Sequence, residues 1–147
     1  MAGYNPANYE SQRRDVNYRH ATDSATNAYG RFLGQQRGER SLGDMTQNFK
    51  RSYPQFGSQF NGRGLAGAGI NSGIQQQAMR NYVGDYTQAY GRGTQDLAQG
   101  LQQFDSNQNS MNAWRENALA DIARQQADAI AEAANSITAL QSYLGGS

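Results

Sequence analysis

The residues with the strongest chemical signature form the glycine-rich run 62–67 (GRGLAG), which matches the G-x-G-x-x-G fingerprint of dinucleotide-binding loops. That fingerprint binds a pyrophosphate only where it follows a buried strand and opens the helix of a β-α-β unit. Residues 53–60 do not form such a strand, and two valines in the whole chain cannot build a parallel sheet. We therefore predict no nucleotide site and no cofactor.

Other candidates for catalysis or metal binding are equally isolated. His20 is the sole histidine and the chain has no cysteine, so a catalytic triad or a zinc site lacks its partners. Asp121, Asp128 and Glu132 share one helix face, but arginines alternate with them. Such alternation is typical of a solvated charged surface, whereas acid–base catalysis needs a desolvated cleft. The sequence predicts that the protein is not an enzyme.

The basic residues suggest a different chemistry. Twelve of the thirteen are arginine, and several adjoin glycine with tyrosine nearby, as in low-complexity segments that bind RNA. Twelve acidic residues leave a net charge of only +1. Counterion release from nucleic acid would therefore contribute little to binding. An RNA-binding low-complexity protein remains an alternative hypothesis.

Large apolar side chains are scarce. Only 20 of the 147 residues are Leu, Ile, Val or Phe, below the roughly 20% typical of a stable globule. Disordered chains with so few apolar residues usually carry a high net charge, which this chain lacks. Eighteen glutamines, thirteen asparagines and nine tyrosines instead favour contact surfaces. We expect a protein that becomes fully ordered on assembly.

The first residues of the sequence lack the charged and apolar regions of a secretory signal. No stretch approaches the ~18 consecutive apolar residues of a membrane span. These observations predict a soluble product made in the cytoplasm.

Helical periodicity organises the chain into two arms. Asn5 and Pro6 are typical of a helix start, and the first arm, 1–54, is expected to end at Pro54, with interruptions at Gly34 and Gly38. Residues 55–72 are expected to form a glycine-rich loop that reverses the chain. The residues assigned to this reversal and to the following helix start are Gly64, Gly67, Ser72 and Gly73.

The second arm, 73–147, carries an apolar stripe at steps of three and four. Ser72 and Gln75 fit a capping box at its start. The polar run 105–110 is either a break or a solvated turn of a longer helix, and the strongest helical segment then extends to Tyr143. The prediction is an all-α, elongated helix-loop-helix hairpin with a long C-terminal amphipathic helix and no β-sheet.

Two columns of residues repeat by sevens in this last segment, as in a coiled coil. One column is Leu119, Gln126, Ala133 and Leu140, and the other is Ala123, Ile130, Ile137 and Leu144. The seam either joins copies of the chain or packs the helix on its own N-terminal arm, and the two arrangements can occur in the same assembly. The residues assigned to this assembly seam are Leu119, Ile122, Gln126, Ile130, Ile137, Leu140 and Leu144.

The chain resembles small virion proteins of tailed bacteriophages. The resemblance lies in the run 63–67 (RGLAG), followed by 71–74 (NSGI) and an Ala- and Gln-rich amphipathic helix. The resemblance covers about residues 35–144. A looser similarity is to the internal virion proteins of short-tailed phages, which are ejected with the genome and form oligomeric channels. The resemblance implies a phage structural component present in several copies around the tail axis.

The leading hypothesis is therefore an oligomeric, tail-associated virion subunit, an adaptor, tail-lining or tail-tip part that acts through helix packing. Its expected partners are copies of itself and other virion proteins of the tail or portal region. Its expected location is the virion, after synthesis in the host cytoplasm. The alternative is an ejected protein that forms a genome-delivery conduit. Such a protein could contact the genomic DNA, and it would contact a membrane only if it is ejected.

Overall fold

The structure, a computed structural model, describes residues 4–62 and 69–145, with side chains described for 4–58 and 73–145. It contains two helices, α1 (Pro6–Gly62) and α2 (Gly69–Gly145). The described residues contain no strand. The predicted all-α helix-loop-helix hairpin is confirmed. Gly64 and Gly67, assigned to the reversal, lie outside the described residues.

Helix α1 begins where the sequence predicted. The side-chain oxygen of Asn5 accepts a hydrogen bond from the backbone N–H of Ala7 at 3.0 Å, and its carbonyl accepts one from Asn8 at 3.2 Å. Pro6 occupies the first helical position, where the missing N–H of proline removes no helical hydrogen bond. Asn5 is therefore the N-cap of α1.

The predicted end of α1 at Pro54 is wrong, because the helix continues through this proline to Gly62. A proline inside a helix costs about 3 kcal/mol through its lost hydrogen bond and its steric clash. Phe49 and Phe56, on either side of Pro54, stack on tyrosines of α2 and hold this part of α1 against it. Residues 55–62, expected to belong to the loop, are thus helical.

Two other expected interruptions, Gly34 and Gly38, are also helical and lie inside α1. Of the two alternatives for the polar run 105–110, the longer helix is confirmed, because α2 continues through it without a break. Helix α2 begins at Gly69, three residues before the start predicted at Ser72, so Ser72 and Gly73 lie in its first turns. Its last described residue is Gly145, which is still helical, and Gly146, also predicted to end the helix, lies outside the described residues.

The chain forms two compact units. The central unit is Tyr29–Phe104, and the terminal unit combines Met1–Ala28 with Asp105–Ser147. In each unit, residues early in α1 meet residues late in α2, so the two helical segments run antiparallel. In the central unit, for example, Gly30 meets Phe104, whereas Gly38 meets Leu97.

Candidate assembly interface

In the central unit, glycines on one helix receive large side chains from the other. A Cβ atom added at Gly30 would lie 2.9 Å from the Phe104 ring, and one at Gly34 would lie 3.4 Å from the same ring. At Gly38 an added Cβ would overlap Leu97, and at Gly93 it would come within 2.8 Å of Leu42. These glycines therefore permit close approach of the two helices. The packing gained in this way explains why glycine, with its low helix propensity, is found inside them.

Close packing at Gly38 predicts different outcomes for alanine at two glycines five residues apart. Gly43→Ala places its methyl group in open space and is expected to stabilise the helix by up to about 1 kcal/mol. Gly38→Ala gains the same propensity but pushes against Leu97, whose Cγ would lie 3.1 Å away. We expect Gly38→Ala to be about 1–3 kcal/mol less stable than Gly43→Ala in urea unfolding. Equal stability of the two variants would contradict the packing explanation.

An aromatic cluster closes the other end of the central unit. Phe49 of α1 stacks on Tyr86 with ring centroids 4.2 Å apart and on Tyr82 at 5.5 Å. Phe56, two residues after Pro54, stacks on Tyr82 at 4.5 Å. The tyrosine hydroxyls are also paired, since the Tyr86 OH lies 2.8 Å from the hydroxyl of Thr46 and the Tyr82 OH contacts Ser52. The cluster therefore combines stacked aromatic rings with tyrosine hydroxyl groups that have hydrogen-bond partners.

In the terminal unit, amide side chains form the contacts between α1 and α2 that aromatic rings form in the central unit. The Gln108 amide nitrogen donates to Ser24 Oγ at 2.9 Å and to Asn112 Oδ1 at 3.1 Å, and Gln108 Oε1 accepts from Asn27. His20 Nε2 lies 2.8 Å from the same Asn112 oxygen. Gln108 of the polar run 105–110 therefore joins α2 to α1 through its side-chain amide.

Ile122 is the one buried hydrophobic side chain of the described residues, with 6% of its surface exposed. Gln126, four residues later, accepts a hydrogen bond from Arg13 and donates one to the Tyr4 OH at 2.7 Å. Leu119 is half-buried on the same face. This part of the predicted seam thus packs within the chain, against the N-terminal segment of α1.

The rest of the predicted seam faces solvent. Ile130 is exposed, and the exposed fractions of Ile137, Leu140 and Leu144 reach 57%, 57% and 71%. Tyr143 is exposed as well. We define these last four residues as the C-terminal apolar ridge: Ile137, Leu140, Tyr143 and Leu144.

A groove runs beside the beginning of this ridge. It has a volume of about 540 Å³, and its walls are the N-terminal turn of α1 and the C-terminal segment of α2. Tyr4 and Tyr9, whose rings stack at 5.9 Å, lie on one side, and Ala133, Ile137 and Leu140 lie on the other. The groove is open and lies next to the ridge, and its lining mixes these apolar side chains with polar ones.

Of the side chains that the sequence offers for catalysis, Glu132 alone lines this groove. His20 belongs to the amide network, and Asp121 forms an exposed ion pair with Arg124 at 3.5 Å. Glu132 lines the groove, while Asp128 is exposed. Within residues 4–62 and 69–145, no cluster of His, Asp or Glu could hold a metal ion.

Neither of the two helices, as far as they are described, is long and apolar enough over one stretch to cross a membrane.

Sequence reasoning missed the glycine–aromatic contacts of the central unit. The sequence predicts breaks at Gly34 and Gly38, although Gly30, Gly34 and Gly38 recur at a spacing of four that places them on one helix face. That spacing, together with large side chains at Leu97 and Phe104, was the available signal. It favours close helix packing only when the opposing residues are considered with it.

No protein-family model, no curated protein and no solved structure matches this chain.

Proposed function

We propose that the protein is a structural subunit of a tailed-phage virion, a tail-associated component that acts by packing its helices against other chains. The phage assignment comes from the sequence resemblance described above. The exposed ridge at the end of α2 is the observation that supports the subunit role.

Two features support a packing role over a chemical one. Burial is sparse, with Ile122 alone buried among the described hydrophobic side chains, whereas thirteen large hydrophobic residues are exposed. The contacts that join the helices use tyrosine rings, glycines and amides, which form specific surfaces without a large apolar core. A chain of this kind gains much of its stability from neighbours that cover it.

The arginine–glycine pairs also have a packing explanation. Gly30, Gly38 and Gly93 each adjoin an arginine, and each accommodates a large side chain of the opposite helix. Their presence therefore does not require an RNA partner. This supports the virion subunit over the RNA-binding alternative.

The test is the position and copy number of the chain in purified phage particles. We expect it to co-sediment with intact particles in several copies and to map to the tail. If the protein stays in the particle after genome release, it is a tail component. If it leaves the particle with the genome, the ejected conduit is the correct alternative. Absence from the particles would overturn the virion assignment altogether.

A matched pair of variants tests whether packing is what the particle needs. Ile137→Asp places a charge on the ridge, and Thr138→Asp places the same charge at the adjacent exposed position. In a phage lacking the gene, we expect Thr138→Asp to restore infectious particles and Ile137→Asp to reduce their yield at least ~10-fold. Equal complementation would contradict a packing role for the ridge.

A further inference from the structure

The segment from Ala133 to Gly145 contains no charged residue, although it is helical and carries the C-terminal apolar ridge. Elsewhere on α2, the exposed surface includes Asp121, Arg124 and Asp128. A partner with a charged binding surface would find no complementary charge on 133–145. The chemistry of this segment therefore favours a partner that is itself apolar and uncharged.

The ridge continues a face that is already an interface. Leu119, Gln126 and Ala133 follow one another at intervals of seven and are half-buried, and Gln126 bonds to Tyr4 and Arg13 of the α1 segment. Leu140 is the next member of this series, so it lies on the same face of α2. Unlike them, it is 57% exposed.

Ile137 and Leu144 flank this face, four residues after Ala133 and Leu140, respectively. The groove of about 540 Å³ lies where the α1 segment gives way to the exposed face. Beyond this groove the described residues of α1 leave the apolar face of α2 uncovered.

We propose that this face is covered by the same segment of a second copy, with the two C-terminal segments antiparallel about a two-fold axis near Leu140. In this arrangement Leu140 meets Leu140, and Leu144 of each copy packs near Ile137 and the groove of the other. A two-fold contact requires a self-complementary surface, and an uncharged aliphatic ridge satisfies this without like-charge repulsion. The inference specifies a partner for the proposed structural role and rests on it.

A charge exchange at Leu140 tests the two-fold pairing. Leu140→Arg and Leu140→Asp each place like charges opposite one another, and we expect each to weaken self-association about 100-fold. Because the residue is exposed, helix content should be unchanged by circular dichroism. An equimolar mixture of the two variants should associate again, since Arg then faces Asp, and sedimentation equilibrium measures all three samples.

Ser142→Arg is the matched control, because it adds the same charge two residues away on the opposite face of the helix. We expect it to associate as the wild type does. A wild-type chain that stays monomeric up to millimolar concentration, or a mixture that fails to associate, would overturn the pairing. A monomeric chain that is nevertheless found in phage particles would overturn the pairing alone, whereas a pairing chain absent from particles would overturn the virion role alone.

Discussion

Replacing Ile122 by alanine is expected to lower the free energy of unfolding of the terminal unit by about 2–3 kcal/mol. Ile122 is 6% exposed and is the one buried hydrophobic residue of the described chain. Its removal leaves a cavity between the helices, and no other buried aliphatic residue in the described part compensates. Hydrogen exchange of the backbone amides around residue 122 measures this loss as faster local opening.

Ile137→Ala is the matched control, with the same exchange on the same helix. Because Ile137 is 57% exposed, its truncation is expected to change the stability of the dilute chain by less than about 0.5 kcal/mol. Its effect should instead appear as weaker self-association. Equal losses of stability for the two variants in dilute solution would contradict the assignment of Ile122 to the inside and Ile137 to an open surface.

Phe49→Ala is expected to destabilise the central unit by about 2–4 kcal/mol. The Phe49 ring contacts three others, Tyr53 at 5.3 Å, Tyr82 at 5.5 Å and Tyr86 at 4.2 Å. Its removal therefore loses buried area and several stacking contacts at once, each of which contributes about 0.5–1.5 kcal/mol beyond burial. Urea unfolding followed by near-ultraviolet tyrosine dichroism reports directly on this cluster.

Phe32→Ala provides the comparison, because Phe32 lies on the same helix and in the same unit but is 53% exposed. We expect a loss below about 1 kcal/mol and an unchanged tyrosine signal. If Phe32→Ala proved as damaging as Phe49→Ala, the aromatic cluster could not be the main contact of the central unit.

The helical architecture was predictable from local sequence signals. Asn5 and Pro6 placed the beginning of α1 correctly, because the capping hydrogen bonds involve only neighbouring residues. The three- and four-residue spacing of apolar residues likewise placed α2 in a helix. Such signals are read within one or two turns and need no knowledge of the opposite helix.

The errors arose where contacts across the hairpin outweigh local preference. Pro54 is a strong helix breaker by itself, yet Phe49 and Phe56 on either side of it stack on the tyrosines of α2. Gly34 and Gly38 weaken an isolated helix, yet they receive Phe104 and Leu97. No local pattern reports which residue of a distant helix will lie opposite.

The predicted assembly seam also depends on contacts that local sequence patterns do not reveal. The seven-residue repeats placed Leu119 and Leu140 on one face, but the repeat alone could not tell that α1 covers the first and leaves the second exposed. That difference depends on how the two helices pair in the folded hairpin.

The most direct test of this account is the protection of amides in residues 130–145 from hydrogen exchange, measured with sedimentation over a 100-fold range of protein concentration. We predict that protection and sedimenting mass rise together, because binding of another copy stabilises the segment by mass action. A compact monomer that protects this segment equally at every concentration would contradict the claim that its apolar ridge is buried only by another polypeptide.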